Sequence, residues 1–183
     1  TDMYTFIFND TSSQKSLSFK QRDEGLYLNN KIVFIAIPNN DELLPWFENL
    51  NDKDLSALQF IGLSSEVPDI YLPYLSRLAE IKADAGLLYD GNFKEMSKFL
   101  KIFKPRYIVG ADLKKSDFDL LSGLTNLEIL AISLTDSVLI EPLPALPHLK
   151  QLFLLELDKD LELPGNFLIN NKKIERVIIQ KPG

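Results

Sequence analysis

The sequence predicts an α/β solenoid: parallel strands stacked side by side, each followed by a return segment, with an antiparallel hairpin cap in front. Three observations carry this. A run of apolar residues spaced by threes and then by two recurs along the chain. The segments between these runs mix helical spacing with proline-rich stretches. Residues 1–30 alternate apolar and polar residues instead.

The cap comes first. "MYTFIFND", "KSLSFKQ" and "EGLYLNN" alternate and are separated by polar turns, which is the signature of β-hairpins. The predicted division is therefore a β cap at 1–30 and one continuous repeat domain at 31–183.

The recurring run is clearest in "LTNLEILAIS", with Leu124, Leu127, Leu130 and Ile132. Gaps of three suit a turn or helix, and a gap of two suits a strand. The same run returns at Leu55/Leu58/Ile61/Leu63, Leu75/Leu78/Ile81/Ala83, Leu146/Leu149/Leu152/Leu154 and Ile174/Val177/Ile179. "KIVFIAI" and "KPRYIVGA" are weaker copies. The comparable strand positions are 35, 61, 81, 109, 130, 152 and 177, at intervals of 20–28 residues. Each unit cannot bury its apolar side alone, and stacking makes one core.

On these residues the chain resembles the leucine-rich repeat family, over roughly Leu26 to Gln180. The family pattern sets an asparagine after the strand to bond neighbouring turns. Asn40 fits it and Thr135 substitutes, whereas Glu66, Gly86, Lys114 and Leu157 depart from it. The resemblance implies a parallel sheet on a concave face and protein recognition as the common role.

The returns follow. "DELLPWFENL" reads as a helix with Trp46 and Phe47 in the core. "PDIYLPYLSRL" reads as a helix from near Pro68, restarted at Pro73. "NFKEMSKFLKIF" places Phe93, Met96, Leu100 and Phe103 at helical spacing behind Asn92 as N-cap. "SDFDLLSGL" runs helical from Ser116 to a stop at Gly123. "EPLPALP" and "LPGNFLINN" read as extended or 3-10. The last strand, Ile174–Gln180, is an edge guarded by Lys172, Lys173, Lys181 and Pro182. It is either tolerated as an edge, continued by further chain, or met by a second copy in a homo-oligomer.

Strand side chains alternate, and adjacent strands lie about 4.8 Å apart, so this register predicts three outward rows. The first is Phe34, Phe60, Glu80, Ile108, Ile129, Gln151 and Arg176. The second is Ala36, Gly62, Lys82, Gly110, Ala131, Phe153 and Ile178, mostly small, which makes a shallow floor. The third is Pro38, Ser64, Asp84, Asp112, Ser133, Leu155 and Gln180. Toward the C-terminus Ile108, Ile129, Phe153, Leu155 and Ile178 form an apolar patch of the kind that marks a partner surface. Lys82, Asp84 and Asp112 would set the partner's orientation.

The composition narrows the function. With 20 Lys and Arg against 26 Asp and Glu, net charge is −6, which argues against general nucleic-acid binding. The Lys94, Lys98, Lys101, Lys104, Arg106 cluster reads as a solvated helix face. There is no cysteine, so thiol catalysis and zinc-thiolate sites are excluded. No apolar run reaches the roughly 18 residues that span a bilayer. His148 is the single histidine; it stands in a turn with no G-x-S-x-G elbow in the chain. No glycine-rich phosphate loop is present, and nothing calls for a cofactor or a metal. Asp158 to Glu162, "DKDLE", lacks the glycine and spacing of a calcium loop. The sequence opens on Thr1 rather than methionine, as a trimmed or processed chain does.

The leading expectation is a non-catalytic binding module for another protein or for a neighbouring domain of a longer chain. The alternative is a polysaccharide-acting or cation-binding solenoid, in which Asp84 and Asp112 on adjacent strands act as an acid/base or ligand pair.

Overall fold

The protein is seen in a computed structural model that describes residues 3–10, 13–22, 25–28, 31–53, 55–134, 141–157 and 163–180. Among them a ten-stranded sheet runs in chain order, β1 to β10. The strands are Met3–Asp10 (β1), Ser13–Arg22 (β2), Gly25–Leu28 (β3), Lys31–Ala36 (β4), Phe60–Ser64 (β5), Gly86–Asp90 (β6), Tyr107–Leu113 (β7), Ile129–Leu134 (β8), Gln151–Leu157 (β9) and Arg176–Ile179 (β10). Pairing is antiparallel from β1 to β4 and parallel from β4 to β10. The fold is therefore α/β, with seven parallel strands and short helices.

A parallel pair needs a crossover between its strands. Three of the crossovers carry a 3-10 turn running into a short helix: Asp69–Tyr71 into Leu72–Ile81, Phe93–Met96 into Ser97–Leu100, and Lys115–Asp117 into Phe118–Ser122. The β4–β5 crossover carries the helix Leu44–Glu48. The two last crossovers, described at 141–150 and 163–175, hold turns and extended chain. Pro73 stands in the first turn of its helix, where its missing N–H costs nothing. Asn92 precedes its 3-10 turn but makes no capping bond with its side chain.

One line of residues pairs across the parallel sheet and points into the core: Ile35, Ile61, Leu87, Ile108, Leu130 and Leu152, continued on β10 by the exposed Val177. Against it pack Phe47, Leu75, Leu78, Phe93, Met96, Phe99, Phe103 and Leu121, all buried. Trp46 is only partly buried, at the edge of this core. Each fully buried aliphatic or aromatic side chain contributes roughly 1.5–3 kcal/mol.

Two strands depart from the expected register. Leu75, Leu78 and Ile81 belong to the helix Leu72–Ile81, and the strand comes later, at Gly86–Asp90. Leu87, not Ile81, therefore takes the core position beside Ile61. In β7 the core position is Ile108, not Val109. The cause is a bulge: Val109 pairs with Ala131 but Asp112 with Ser133, so β7 has one residue more than β8. Gly110 supplies it at φ +101, a conformation that glycine adopts freely.

Candidate interaction face

The sheet face turned away from the helices carries two rows set by the pairing. The first runs Phe34, Phe60, Gly86 on β4 to β6, then Tyr107, Ile129, Gln151, Arg176 on β7 to β10. The second runs Ala36, Gly62, Leu88, Val109, Ala131, Phe153, Ile178. Phe34, Phe60, Leu88, Tyr107, Val109, Ile129, Phe153 and Ile178 are all half-buried. They form an apolar strip across the parallel strands. Ala131 and Gln151 lie buried among them.

Small residues give this face its relief. Around Ala36 and Gly62 there is a shallow depression of about 320 Å³, floored also by Leu88 and Val109 and rimmed by Ser64 and Asp90. The expected shallow floor thus exists at the β4–β7 side, with Leu88 where Lys82 was placed.

Charge lines the edge where the strands begin. Glu128, half-buried, takes a hydrogen bond from the Arg106 guanidinium and pairs with Lys150 at 3.6 Å. The bond to Glu128 holds the Arg106 pKa above its ordinary value, against a smaller opposing effect of burial. Arg106 also lies 5.4 Å from the Tyr107 ring centre, a cation–π distance. Burial raises the Tyr107 hydroxyl pKa.

The expected site residues fall into two groups. Ile129, Phe153 and Ile178 stand on the open face. Leu155 is the inserted residue of a second bulge, since Ile132 pairs with Leu154 but Ser133 with Glu156. Asp112 stands in β7, pairing with Ser133 and bridging to Asn92. Three residues lie elsewhere. Ile108 is fully buried, at 0% exposure, because it pairs in line with the core residues Leu87 and Leu130. Lys82 ends a helix and Asp84 sits in the turn after it, paired with each other at 3.3 Å. The Asp84 carbonyl accepts the Arg106 N–H, so Asp84 stands level with residue 106, six residues before Asp112. At about 3.3 Å per residue that is about 20 Å, well beyond the 5–9.5 Å that paired glycosidic carboxylates need. The acid pair is not formed.

Leu88, Tyr107 and Val109 are the face residues that spacing alone misplaced. Counting on from Ile61 by the 26 residues that separate Ile35 and Ile61 reaches Leu87, which was the available signal for Leu88. His148 is exposed in its turn. Among the described residues no group of three or more His, Cys, Asp or Glu could hold a metal, and no helix is long and apolar enough to cross a membrane. Thr135 and the segment Asp158 to Glu162 lie outside the described residues.

Comparison with protein-family models, with curated proteins and with solved structures gives no match for this chain.

Proposed function

We propose that the chain is a non-catalytic protein–protein interaction module, a solenoid of leucine-rich-repeat type that binds another protein, or a neighbouring domain of a longer chain, through its open sheet face. The observation that carries this is the strip of half-buried apolar side chains from Phe34 and Phe60 to Phe153 and Ile178. Apolar surface of this extent on one rigid face is what partner recognition uses. Tyr107, of a type enriched at binding hot spots, stands on the strip in β7, with Arg106 beside it at the edge. The ion pairs along its edge, Lys82–Asp84 and Arg106–Glu128–Lys150, supply a polar rim that selects orientation.

The experiment is a pull-down from native extract with wild type and the Ile129→Glu/Phe153→Glu variant, both shown folded by circular dichroism. A partner held by wild type and lost by the variant supports the reading. Equal capture by two folded proteins moves the site off this face.

A further inference from the structure

The depression on the open face joins an apolar floor to an acidic rim. The floor is Ala36, Gly62, Leu88 and Val109. A Cβ on Gly62 would sit 3.1 Å from Cζ of Phe34, so the bare glycine keeps the space open and the Phe34 ring borders it. Among the described residues that line it, Asp90 carries the only charge. Asp90 pairs with Ser64 at the strand ends. It lies two residues beyond Leu88, about 7 Å along the strand. Its side chain is exposed, and among the described residues no ion pair includes it.

The surroundings carry the same sign. Where β4 to β7 end, the segments 37–41, 64–66, 90–92 and 112–114 hold Asp41, Glu66, Asp90 and Asp112 against Lys114 alone. Charges of one sign beside a low-dielectric wall add to a local field that draws the opposite sign. The edge where the strands begin is different, because Arg106 and Lys150 there are joined to Glu128.

We propose that the depression takes a basic side chain, arginine or lysine, from the protein partner of the open face. This rests on the reading of that face as the interaction surface and adds the chemistry of what it holds. A basic side chain lays its aliphatic stem on apolar surface and keeps its charged head in a polar setting. Ala36, Gly62, Leu88 and Val109 receive the stem, and Asp90 receives the head. An acidic side chain is repelled by the carboxylates of the rim. An aliphatic one covers the floor but leaves Asp90 without a counter-charge.

The rest of such a partner segment has a path across the sheet. An extended chain advances about 3.3 Å per residue, so seven residues reach about 23 Å. Gly62 stands on β5 and Phe153 on β9, four strand spacings or about 19 Å apart. One extended segment therefore seats its basic residue in the depression and covers Ile129 and Phe153 as well.

The probe is a displayed library of random seven-residue peptides, selected on the full chain. The expected result is enrichment of arginine or lysine at one position, among apolar residues. Asp90→Lys is expected to weaken binding of the selected peptides about tenfold, and a peptide with glutamate in place of its basic residue is expected to regain affinity for that variant. Ala36→Leu fills the depression and is expected to weaken binding comparably. Ala36 and Asp90 are both exposed, so circular dichroism should be unchanged, and Asp90→Lys decides the matter if Ala36→Leu fails to fold. Peptides that lose binding to Ile129→Glu/Phe153→Glu but show no basic preference, or that keep full affinity for Asp90→Lys, would overturn this inference and leave the interaction face standing. Peptides indifferent to all of these substitutions, or no selected peptide at all, would overturn both.

Discussion

Phe60 and Tyr107 stack with ring centres 5.7 Å apart, although the strand β6 lies between their own strands. Gly86 makes the contact. A Cβ there would sit 2.6 Å from Cδ1 of Phe60 and 3.1 Å from Cδ2 of Tyr107. Both rings thus lean over a bare stretch of backbone and join β5 to β7 on the open face. Gly86→Ala gains roughly 0.4–1 kcal/mol by restricting the unfolded chain, but it must push one ring aside. Overpacking costs about 1–3 kcal/mol, so the net expectation is destabilisation, read as a lower urea midpoint. Adding Phe60→Leu should recover part of the loss, and strictly additive effects would deny the coupling.

Gly110 is constrained differently. Its φ of +101 is disfavoured for side-chain-bearing residues, and a Cβ would meet the Tyr89 carbonyl oxygen at 2.7 Å. The obstacle is backbone, which cannot swing away. Gly110→Ala is expected to cost about 1–3 kcal/mol. Gly165, with nothing within 4 Å of a Cβ, is the control: Gly165→Ala should leave the unfolding midpoint nearly unchanged. Equal effects at the two sites would mean that the bulge is not held as described.

Two buried tyrosines make a second matched pair. The Tyr71 hydroxyl donates to the Asn40 carbonyl at 2.5 Å and accepts the Leu43 N–H at 3.2 Å. It ties the β4–β5 crossover to the next one. Tyr71→Phe leaves both backbone groups short of a partner and should cost about 1–3 kcal/mol. The Tyr89 hydroxyl is buried and, among the described residues, has no hydrogen-bond partner. Tyr89→Phe removes a desolvated polar group and is expected to be neutral or stabilising. The reverse order in thermal unfolding would overturn both assignments.

Much of this architecture was legible because threes followed by a two is a physical change, from turn to strand. It held at Leu124–Ile132 and Leu146–Leu154, where the paired strands Ile129–Leu134 and Gln151–Leu157 stand. It misled at Leu75–Ile81, because a helix also spaces its core residues by three and four. Only Ala83 stood for the closing two, and Ala83 is exposed. The slip at β7 has another cause. Val109 and Ala111 obey the period of two, but Gly110 is an inserted residue, so the inward pair is Ile108 and Ala111. These two shifts account for the displaced site residues Lys82, Asp84 and Ile108. Ile129, Phe153 and Ile178 kept their places because the neighbouring positions Leu130, Leu152 and Val177 do pair with one another across the sheet.

Asn171 carried no signal in the sequence, since it lies outside any strand pattern. It is 6% exposed. Its side-chain oxygen accepts the Leu146 N–H at 2.8 Å and its amide donates to the Pro144 carbonyl at 2.9 Å. It pins the proline-rich return before β9 to the one before β10. Asn171→Ala strands these buried backbone groups and should cost about 1–3 kcal/mol. Asn170, exposed and donating to the Leu143 carbonyl at 3.2 Å, should cost markedly less, and chemical denaturation of both variants compares them directly.

Alkaline stability tests the Tyr89 environment from a different side. Burial first, then the Coulombic effects of Glu95 and Asp90, push the Tyr89 hydroxyl up to about 12. In the unfolded chain tyrosine ionises near 10. Between those values the unfolded state has released a proton that the folded state still holds. The unfolded state binds fewer protons, so stability falls as pH rises. The contribution is complete below about pH 10 and is lost progressively toward about 12. Tyr89→Phe removes it. Tyr107, also raised by burial, keeps its own share, so the variant should show a shallower decline rather than none. Urea midpoints taken at neutral pH and at intervals between about 10 and 12 read the difference, and identical slopes for wild type and Tyr89→Phe would show that Tyr89 ionises as freely folded as unfolded.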